Sequence, residues 1–429
     1  MKINEIKNAL AAGELDAQLL ALYDASELDM QKKRYADALD RFACLYGADR
    51  EVRLFSVPGR SEISGNHTDH NHGRVLAAAI DLDVIAVAAP CEGSVIRIQS
   101  QGFEEDVVDV SDLNPDLFPD FTSSAIIAGM TDAFVKRGLH TGAFVAYTTS
   151  RVFKGSGLSS SAAFEDMVGN ILNHFYNNGA VEAPEIAKMA QYAENVFFGK
   201  PCGLMDQTAC AVGGFVAIDF ADPSKPLIEK MSYDLTGAGY SLCIVNTGGN
   251  HADLNEDYAS VPAEMKAVAA EFGREVLRGL REEDIIERIP ALRAKLGDRA
   301  ILRALHFIAE NDRVARQTEA LRCGDTVEFL HGVNASGDSS FKWLQNVYTT
   351  KNVSEQGLSL ALAVAEYLLR QQERPFAVRV HGGGFAGTIQ AFVPAGYART
   401  FKEGMERVFG DGNCYILHVR PAGAIMLDL

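Results

Sequence analysis

The chain has 429 residues, of which 47% are hydrophobic and 23% charged, and its formal net charge at pH 7 is −17. This composition excludes a disordered or collagen-like chain. The acidic surface repels phosphate backbones and anionic lipids, so nucleic acid and membranes are not expected as partners.

In chain order, the first predicted element is helical, because apolar residues recur at helical spacing through residues 1–50. Short apolar runs bounded by Gly or Pro predict strands at 52–60, 84–89, 94–99, 143–150, 213–220 and 240–247. Helices are predicted at 160–176, 183–199 and within 253–345. Two strands around a glycine turn are predicted at 375–394, followed by strands at 414–419 and 424–429.

This distribution predicts an α+β fold, because strands dominate the first half and helices the middle. We place a boundary near residue 220, which gives domains over 1–220 and 221–429. The longest apolar run is interrupted by Asp81 and Asp83, so no membrane span is expected. The charged N-terminus lacks the apolar core of a signal peptide, and the seven scattered cysteines favour reduced thiols. A cytoplasmic location is therefore expected.

The first polar cluster is PGRSEISGNHTDHNHG, residues 58–73. Its histidines and Asp69 are possible ligands of a transition metal. On an extended segment, however, His67 and Asp69 would share one side and His70 and His72 the other, which argues against a metal site. Two other interpretations remain open. The segment is either a solvated turn, or His67 and Asp69 bind a polar ligand such as a sugar, because a carboxylate accepts from two hydroxyls at once.

The second cluster, KGSGLSSSAAFEDM at 154–167, stands between a predicted strand and a predicted helix. Gly155 and Gly157 allow a ligand to approach the backbone, and the serine run lies where the free N–H groups of a helix start collect. The spacing fits neither a Walker A loop nor a dinucleotide fingerprint. An ordinary N-cap needs one serine, so three in a row favour phosphate binding.

The third cluster, VHGGGFAGT at 380–388, has four glycines within six positions. Such a run predicts positive φ angles or close backbone contacts, and a plain hairpin turn explains it equally well. Glu194 and Asp206 lie between the second and third clusters. Taken alone, they are acids of the ordinary surface type.

In this order, the segments resemble the GHMP small-molecule kinases, and within them the galactokinase branch. The run GSGLSSSAA (155–163) is typical of the superfamily, whereas GRxxxxGxHTDxxxGxVL (59–76), GLMDQ (203–207) and RPAGA (420–424) are similar to galactokinases. The similarity extends from about residue 50 to the C-terminus. It implies a two-domain GHMP kinase architecture, with a ribosomal-protein-like N-terminal domain, a ferredoxin-like C-terminal domain and the active site between them.

The resemblance also implies roles for single residues. The loop that would hold the phosphates of ATP consists of Gly155, Ser156, Gly157, Leu158, Ser159, Ser160 and Ser161. Ser161 and Glu194 would bind Mg²⁺, a hard cation that prefers oxygen ligands. Asp206 would be the catalytic base, and Arg60 would stabilise the developing charge and keep Asp206 ionised. Lys154 would add positive charge.

The sugar would be bound by Asn66, His67, Thr68, Asp69 and Tyr258, the last identified by its spacing of seven from His251. The turn at 382–387 would support the site from the second domain. The resemblance thus implies a monomeric enzyme that uses ATP to phosphorylate D-galactose at the anomeric hydroxyl, giving α-D-galactose 1-phosphate.

Two departures from the family pattern concern the substrate. Asn66 stands where galactokinases usually carry Glu, and Glu62 is an added acid close to Arg60. A weaker contact with the primary hydroxyl would follow, so N-acetylgalactosamine, galacturonate or arabinose remains an alternative substrate, and Asn66→Glu should improve the KM for galactose. The other alternative is a non-catalytic sensor of galactose and ATP. Such relatives lose residues from the stretch that is intact here at 159–163.

Overall fold

The computed structural model describes residues 1–152, 157–249 and 254–428. Its α-helices are α1 (Ile3–Ala12), α2 (Asp16–Leu20), α3 (Leu28–Tyr46), α4 (Ser123–Lys136), α5 (Ser160–Tyr176), α6 (Ala183–Val196), α7 (Met205–Val212), α8 (Asn255–Glu271), α9 (Glu282–Glu287), α10 (Ile289–Leu296), α11 (Asp298–Cys323), α12 (Thr326–Ser339), α13 (Gly357–Leu369) and α14 (Ala398–Phe409). Its strands are β1 (Arg53–Ser64), β2 (Arg74–Pro90), β3 (Val95–Ser100), β4 (Glu105–Asp109), β5 (Phe144–Ser150), β6 (Phe215–Asp219), β7 (Leu227–Met231), β8 (Tyr240–Asn246), β9 (Ala377–His381), β10 (Thr388–Pro394), β11 (Cys414–Leu417) and β12 (Ile425–Met426).

Within the described residues, the strands form two sheets. The larger has the order β12-β1-β2-β5-β3-β4, with β6 paired to the start of β2 and β7 to β6. The smaller is antiparallel, with the order β11-β8-β10-β9. The predicted α+β class is therefore confirmed. Strand β12, near the C-terminus, pairs with β1 at the edge of the larger sheet. The larger sheet therefore contains residues from both predicted domains, and the boundary near residue 220 stays a prediction.

Strand β2 is the centre of the larger sheet, and it is buried over nearly its whole length. The sequence predicts a strand only at 84–89, yet the strand begins at Arg74 and includes the alanines at 77–79. Alanine has a low strand propensity, but here the packing of α5 and α7 against β2 determines the conformation. The tertiary environment thus overrides the local preference.

The acids that interrupt the apolar run are buried in β2, and each has partners. Asp83 accepts hydrogen bonds from Arg34 Nη1 at 2.6 Å, Ser56 Oγ at 2.5 Å and Arg420 Nη1 at 3.3 Å. Asp81 accepts from the ring and backbone nitrogens of His418. A buried charge is tolerated only with such partners, so these acids fasten α3 and the C-terminal segment to the sheet.

Further elements were not predicted from the sequence. They include β4, α4, β7, α13 and α14. In the part of the chain that the structure covers, no helix has both the length and the apolar character needed to cross a membrane.

Candidate active site

An ion pair between Arg60 and Asp206 lies where β1 meets the first turn of α7. Two hydrogen bonds of 2.7 Å join them, from Nε to Oδ1 and from Nη2 to Oδ2. Burial alone would raise the pKa of Asp206, but the Arg60 charge and the Ser159 hydroxyl together lower it below its ordinary value. The side chain of Asp206 is 34% exposed, so an ionised carboxylate is accessible to a ligand. The expected proximity of Arg60 and Asp206 is present, and their catalytic roles stay predictions.

The loop before α5 is held against β1 by backbone contacts. The Arg60 N–H donates to the carbonyl of Leu158 at 3.1 Å, and Arg60 Nη1 donates to the carbonyl of Gly157. A Cβ atom at Gly59 would lie 2.7 Å from the Leu158 carbonyl oxygen, so only glycine allows this approach. The same arginine therefore positions both the loop and the acid.

Ser159 occupies the N-cap position of α5, but its side chain does not cap the helix. Its φ angle is 58°, in the left-handed region, and its Oγ donates a hydrogen bond to Asp206 Oδ2. The interpretation of this serine as an ordinary N-cap is therefore wrong. A left-handed φ is unfavourable for a residue with a Cβ, and such strain concentrates at functional sites.

Ser160 and Ser161 begin α5, and Ser161 is exposed at this helix end. The Ser161 hydroxyl makes no hydrogen bond to any other described residue. Lys154, Gly155 and Ser156 lie outside the described residues. The first turn of α5 thus presents free backbone N–H groups and the positive end of the helix dipole next to Asp206.

Glu194 lies on α6, and its side chain is only 4% exposed. It accepts hydrogen bonds from Lys200 Nζ at 3.1 Å and from Gln207 Nε2 at 2.8 Å. The same amide donates to Glu165 on α5 at 3.0 Å, so Gln207 links two carboxylates. Burial, with the adjacent Glu194 carboxylate, raises the pKa of Glu165 well above its ordinary value.

The expectation of an extended segment at 67–72 is wrong. His67 has a φ of 58°, Asp69–Asn71 is a 3-10 turn, and His72 is left-handed. The alternation of side chains is therefore lost, and His67, Asp69 and His70 all line one cavity. Across the described ranges, no group of three or more His, Cys, Asp or Glu side chains is arranged to hold a metal ion.

The cavity that these residues line is bounded also by Glu62, Gly65, Asn66, Val75, Met205 and Gly383. His67 Nε2 lies 2.9 Å from the carbonyl oxygen of Gly383. Burial lowers the pKa of His67 to about 4, so its ring is neutral at pH 7 and donates to that carbonyl. Two of the residues that line the cavity are near the ion pair in the chain: Met205 immediately precedes Asp206, and Glu62 follows Arg60 by two positions.

Thr68 and Tyr258 make structural contacts beside this cavity. The Thr68 hydroxyl donates to the carbonyls of Gly65 at 2.8 Å and Arg74 at 2.7 Å, which fixes the turn. The Tyr258 hydroxyl donates to the Gly384 carbonyl at 2.8 Å. His251 lies outside the described residues. A sugar contact by either side chain stays a prediction.

The glycine cluster forms the hairpin between β9 and β10. Gly384 has a φ of 82°, and a Cβ atom there would lie 2.0 Å from the Asn346 carbonyl oxygen. The expected positive φ and close backbone contact are both present. The carbonyls of Gly382 and Gly383 accept hydrogen bonds from Asn66 and His67, so the hairpin of the smaller sheet contacts the segment after β1 directly.

Sequence reasoning missed several polar residues of this region. Lys200 and Gln207 hold Glu194, and Asn346 donates to Asn66. Glu62 was noted only as an added acid. The sequence does contain a signal that Glu62 belongs to this region. It follows Arg60 by two positions, and residues i and i+2 of a strand share a face.

The chain is similar to two protein-family models and to galactokinases of known sequence. Residues 40–90 match a family model for the galactokinase galactose-binding signature, and residues 125–214 match one for the N-terminal domain of GHMP kinases. The galactokinase of Streptomyces coelicolor is 31% identical over 86% of this chain and 92% of its own length. That of Lactobacillus helveticus is 30% identical over 84% and 91%.

Solved structures share the fold. A crystal structure of Lactococcus lactis galactokinase complexed with galactose aligns with a TM-score of 0.75 at 24% identity, over 92% of this chain and all of that one. A mevalonate kinase structure aligns with a TM-score of 0.58 at 14% identity, over 85% and 99%. The two-domain GHMP kinase fold that the resemblance implied is confirmed.

Proposed function

The chain belongs to the galactokinase family, and from this we propose that it transfers the γ-phosphoryl group of ATP to the anomeric hydroxyl of D-galactose, giving α-D-galactose 1-phosphate. The observation that carries the proposal is the ion pair of Arg60 with Asp206, which contacts the glycine-serine loop at Gly157 and Ser159 and is next in the chain to Met205, a residue of the cavity lined by His67 and Asp69. Phosphoryl transfer needs positioning and charge neutralisation more than covalent chemistry, and both partners can be held at this junction.

Asp206 is the catalytic base. Its carboxylate, kept ionised by Arg60, takes the proton from the anomeric hydroxyl as that oxygen bonds to the γ-phosphorus. The bond from the γ-phosphorus to the bridging oxygen breaks, and ADP leaves with the bonding electrons. Arg60 fixes the direction of the carboxylate through two hydrogen bonds and adds positive charge near the reacting phosphoryl group.

The phosphates of ATP are bound by the loop 155–161 and by the N-terminus of α5. Free backbone N–H groups and the helix dipole favour an anion at this position. They act against a strongly acidic background, since the net charge is −17. Lys200 lies beside Glu194 and adds a second positive charge to this end of the site.

Mg²⁺ would be held by Glu194 and Ser161. The donor chemistry fits, because Glu194 offers a carboxylate and Ser161 an exposed hydroxyl that no described residue uses. A magnesium site with few protein ligands is ordinary, since phosphate oxygens and waters complete its coordination. When bound, the ion neutralises phosphate charge, while Gln207 and Lys200 hold the Glu194 carboxylate in place.

The sugar occupies the cavity lined by His67 and Asp69, which contact its hydroxyls, and Tyr258 supports the facing turn through its hydrogen bond to Gly384. We expect the enzyme to act as a monomer. An ATP-consuming enzyme whose cysteines are free is expected to act in the cytoplasm.

A sugar panel tests this function. Purified protein is incubated with ATP and Mg²⁺, and ADP release is measured with galactose, N-acetylgalactosamine, galacturonate and arabinose. We expect the highest kcat/KM with galactose, no ADP release after chelation of Mg²⁺, and a product with phosphate on C1. A hundredfold preference for another sugar would reject galactose as the substrate, and no ADP release with any sugar would favour a sensor.

A further inference from the structure

The side chain of Asn66 has little capacity left for a sugar. Its Nδ2 donates to Glu62 Oε1 at 2.9 Å and to the Gly382 carbonyl at 2.7 Å, so both amide protons are used. Its Oδ1 accepts from Asn346 Nδ2 at 2.6 Å. The residue is 1% exposed. Asn66 therefore acts as part of the wall of the cavity.

Glu62 brings a carboxylate to the same cavity from a different position. It lies on β1 two residues after Arg60, and it lines the cavity together with His67 and Asp69. Its Oε1 is fixed by the Asn66 amide. Its Oε2 accepts no hydrogen bond from the described residues and is not among the atoms sealed inside the protein. One oxygen is thus oriented, and the other is available.

A buried carboxylate with a free oxygen is costly unless something donates to it. The nearby cation is Arg379, which is fully buried and whose Nη1 donates to the Ile63 carbonyl at 2.8 Å. Burial raises the pKa of Glu62, and the charge of Arg379 and the Asn66 hydrogen bond partly oppose this shift. Arg379 therefore supports the carboxylate without occupying Oε2.

We propose that Glu62 is the acidic residue that determines sugar specificity in this enzyme: its Oε2 accepts a hydrogen bond from a ring or primary hydroxyl of the sugar away from the anomeric carbon. Asn66 is the positioning residue that holds the other oxygen. The hydroxyl donor is therefore approached from β1, on which Glu62 lies. The inference rests on the proposed function, because it assigns a contact to the sugar of that reaction.

The test compares wild type with Glu62→Gln on galactose and on its 2-, 3-, 4- and 6-deoxy analogues. Glu92→Gln, at an exposed acid outside the site, is the matched control. For Glu62→Gln we expect the KM for galactose to rise at least about tenfold, with kcat changed less than about threefold and the KM for ATP unchanged, because a hydrogen bond to a charged acceptor is lost.

The deoxy analogues identify the contact. Wild type should discriminate against one deoxy sugar by at least about tenfold, and Glu62→Gln should not, because the removed hydroxyl has no charged acceptor left. Identical discrimination in both proteins would overturn the assignment of Glu62. If Glu62→Gln fails to fold, Glu62→Asp, which keeps the charge but shortens the side chain, should show the same loss of discrimination. Wild type that produces no galactose 1-phosphate would instead overturn the proposed function.

Discussion

The hydroxyl of Ser159 donates a hydrogen bond to the carboxylate of Asp206, although Ser159 occupies the N-cap position of α5. The backbone of Ser159 is left-handed, with a φ of 58°. The serine thus connects the loop before α5 to Asp206 at the expense of an unfavourable backbone conformation. The hydroxyl of Ser159 and its left-handed backbone are two separate features. Substitutions can measure the effect of each one independently.

Ser159→Ala and Ser159→Gly both remove the hydroxyl, but only glycine adopts the left-handed conformation without strain. We expect both variants to lose about threefold to tenfold in kcat/KM, which corresponds to about one hydrogen bond. Ser159→Gly should be more stable than Ser159→Ala by about 1 kcal/mol in denaturant unfolding. Full activity in Ser159→Ala would show that the hydrogen bond to Asp206 has no role.

Arg60→Met tests the electrostatic control of Asp206. Burial raises the pKa of Asp206, and Arg60 is the charge that most strongly opposes it. In wild type the folded-state pKa is low, so kcat/KM should fall only when the pH drops below the ordinary aspartate range. Without Arg60 the pKa rises, and the acidic limb of the kcat/KM profile should move to higher pH by about one to three units. A lower rate with an unmoved limb would contradict this account.

For Asn66→Glu, the structure predicts a change in the KM for galactose that is opposite to the change expected from the sequence. The sequence suggested that a family-like Glu would improve the KM for galactose. In the structure, the Asn66 amide donates to the Glu62 carboxylate and to the Gly382 carbonyl, so a carboxylate at 66 would face two acceptors. We expect a higher KM for galactose, by about tenfold or more, and a lower melting temperature. An improved KM would contradict this account of the Asn66 contacts.

Most of the site could be predicted from the sequence, because its motifs are local. The Gly-Ser loop, Arg60 and Asp206 each stand in a short pattern that resembles the galactokinase family, although the lowered pKa of Asp206 depends on Arg60, 146 positions away. The left-handed Ser159 could not be predicted, since its hydroxyl is drawn to Asp206 by tertiary contact. The partners of Asn66 could not be predicted either, because Gly382 and Asn346 lie more than 250 positions away in the sequence.

The fold was predicted less completely, for the same physical reason. The N-terminal half of β2 is rich in alanine, which has a low strand propensity, so the sequence does not predict a strand there. Burial on both faces nevertheless makes this segment a strand. The sequence predicts an extended segment at 67–72, whereas the Thr68 hydroxyl, through its contacts with two carbonyls, closes this segment into a turn. Patterns in sequence predict elements well where local preference and tertiary packing agree.

Asp83→Asn tests how the buried charges hold the N-terminal helices. Asp83 is fully buried, and although burial raises its pKa, Arg34 and Arg420 lower it overall. Loss of its charge leaves both arginines without their partner, so the free energy of unfolding at pH 7 should fall by about 3–5 kcal/mol. Asp37→Asn, at an exposed position, is the matched control.

The pH dependence of this effect has a definite sign. Because the folded-state pKa of Asp83 is depressed, its stabilisation is fully present above the unfolded pKa and is lost as the pH falls through the folded pKa. The difference between wild type and Asp83→Asn in urea unfolding should therefore shrink on acidification below about pH 4. A difference that grows at low pH would contradict the role assigned to the charge.

The most direct measurement is the turnover of Asp206→Asn with galactose, alongside its affinity for ATP and with Asp37→Asn as control. If Asp206 accepts the proton of the anomeric hydroxyl, kcat falls by about 10²- to 10⁴-fold while the Kd for ATP stays within about twofold of wild type. A loss of tenfold or less would mean that another group accepts the proton and that Asp206 only orients the sugar.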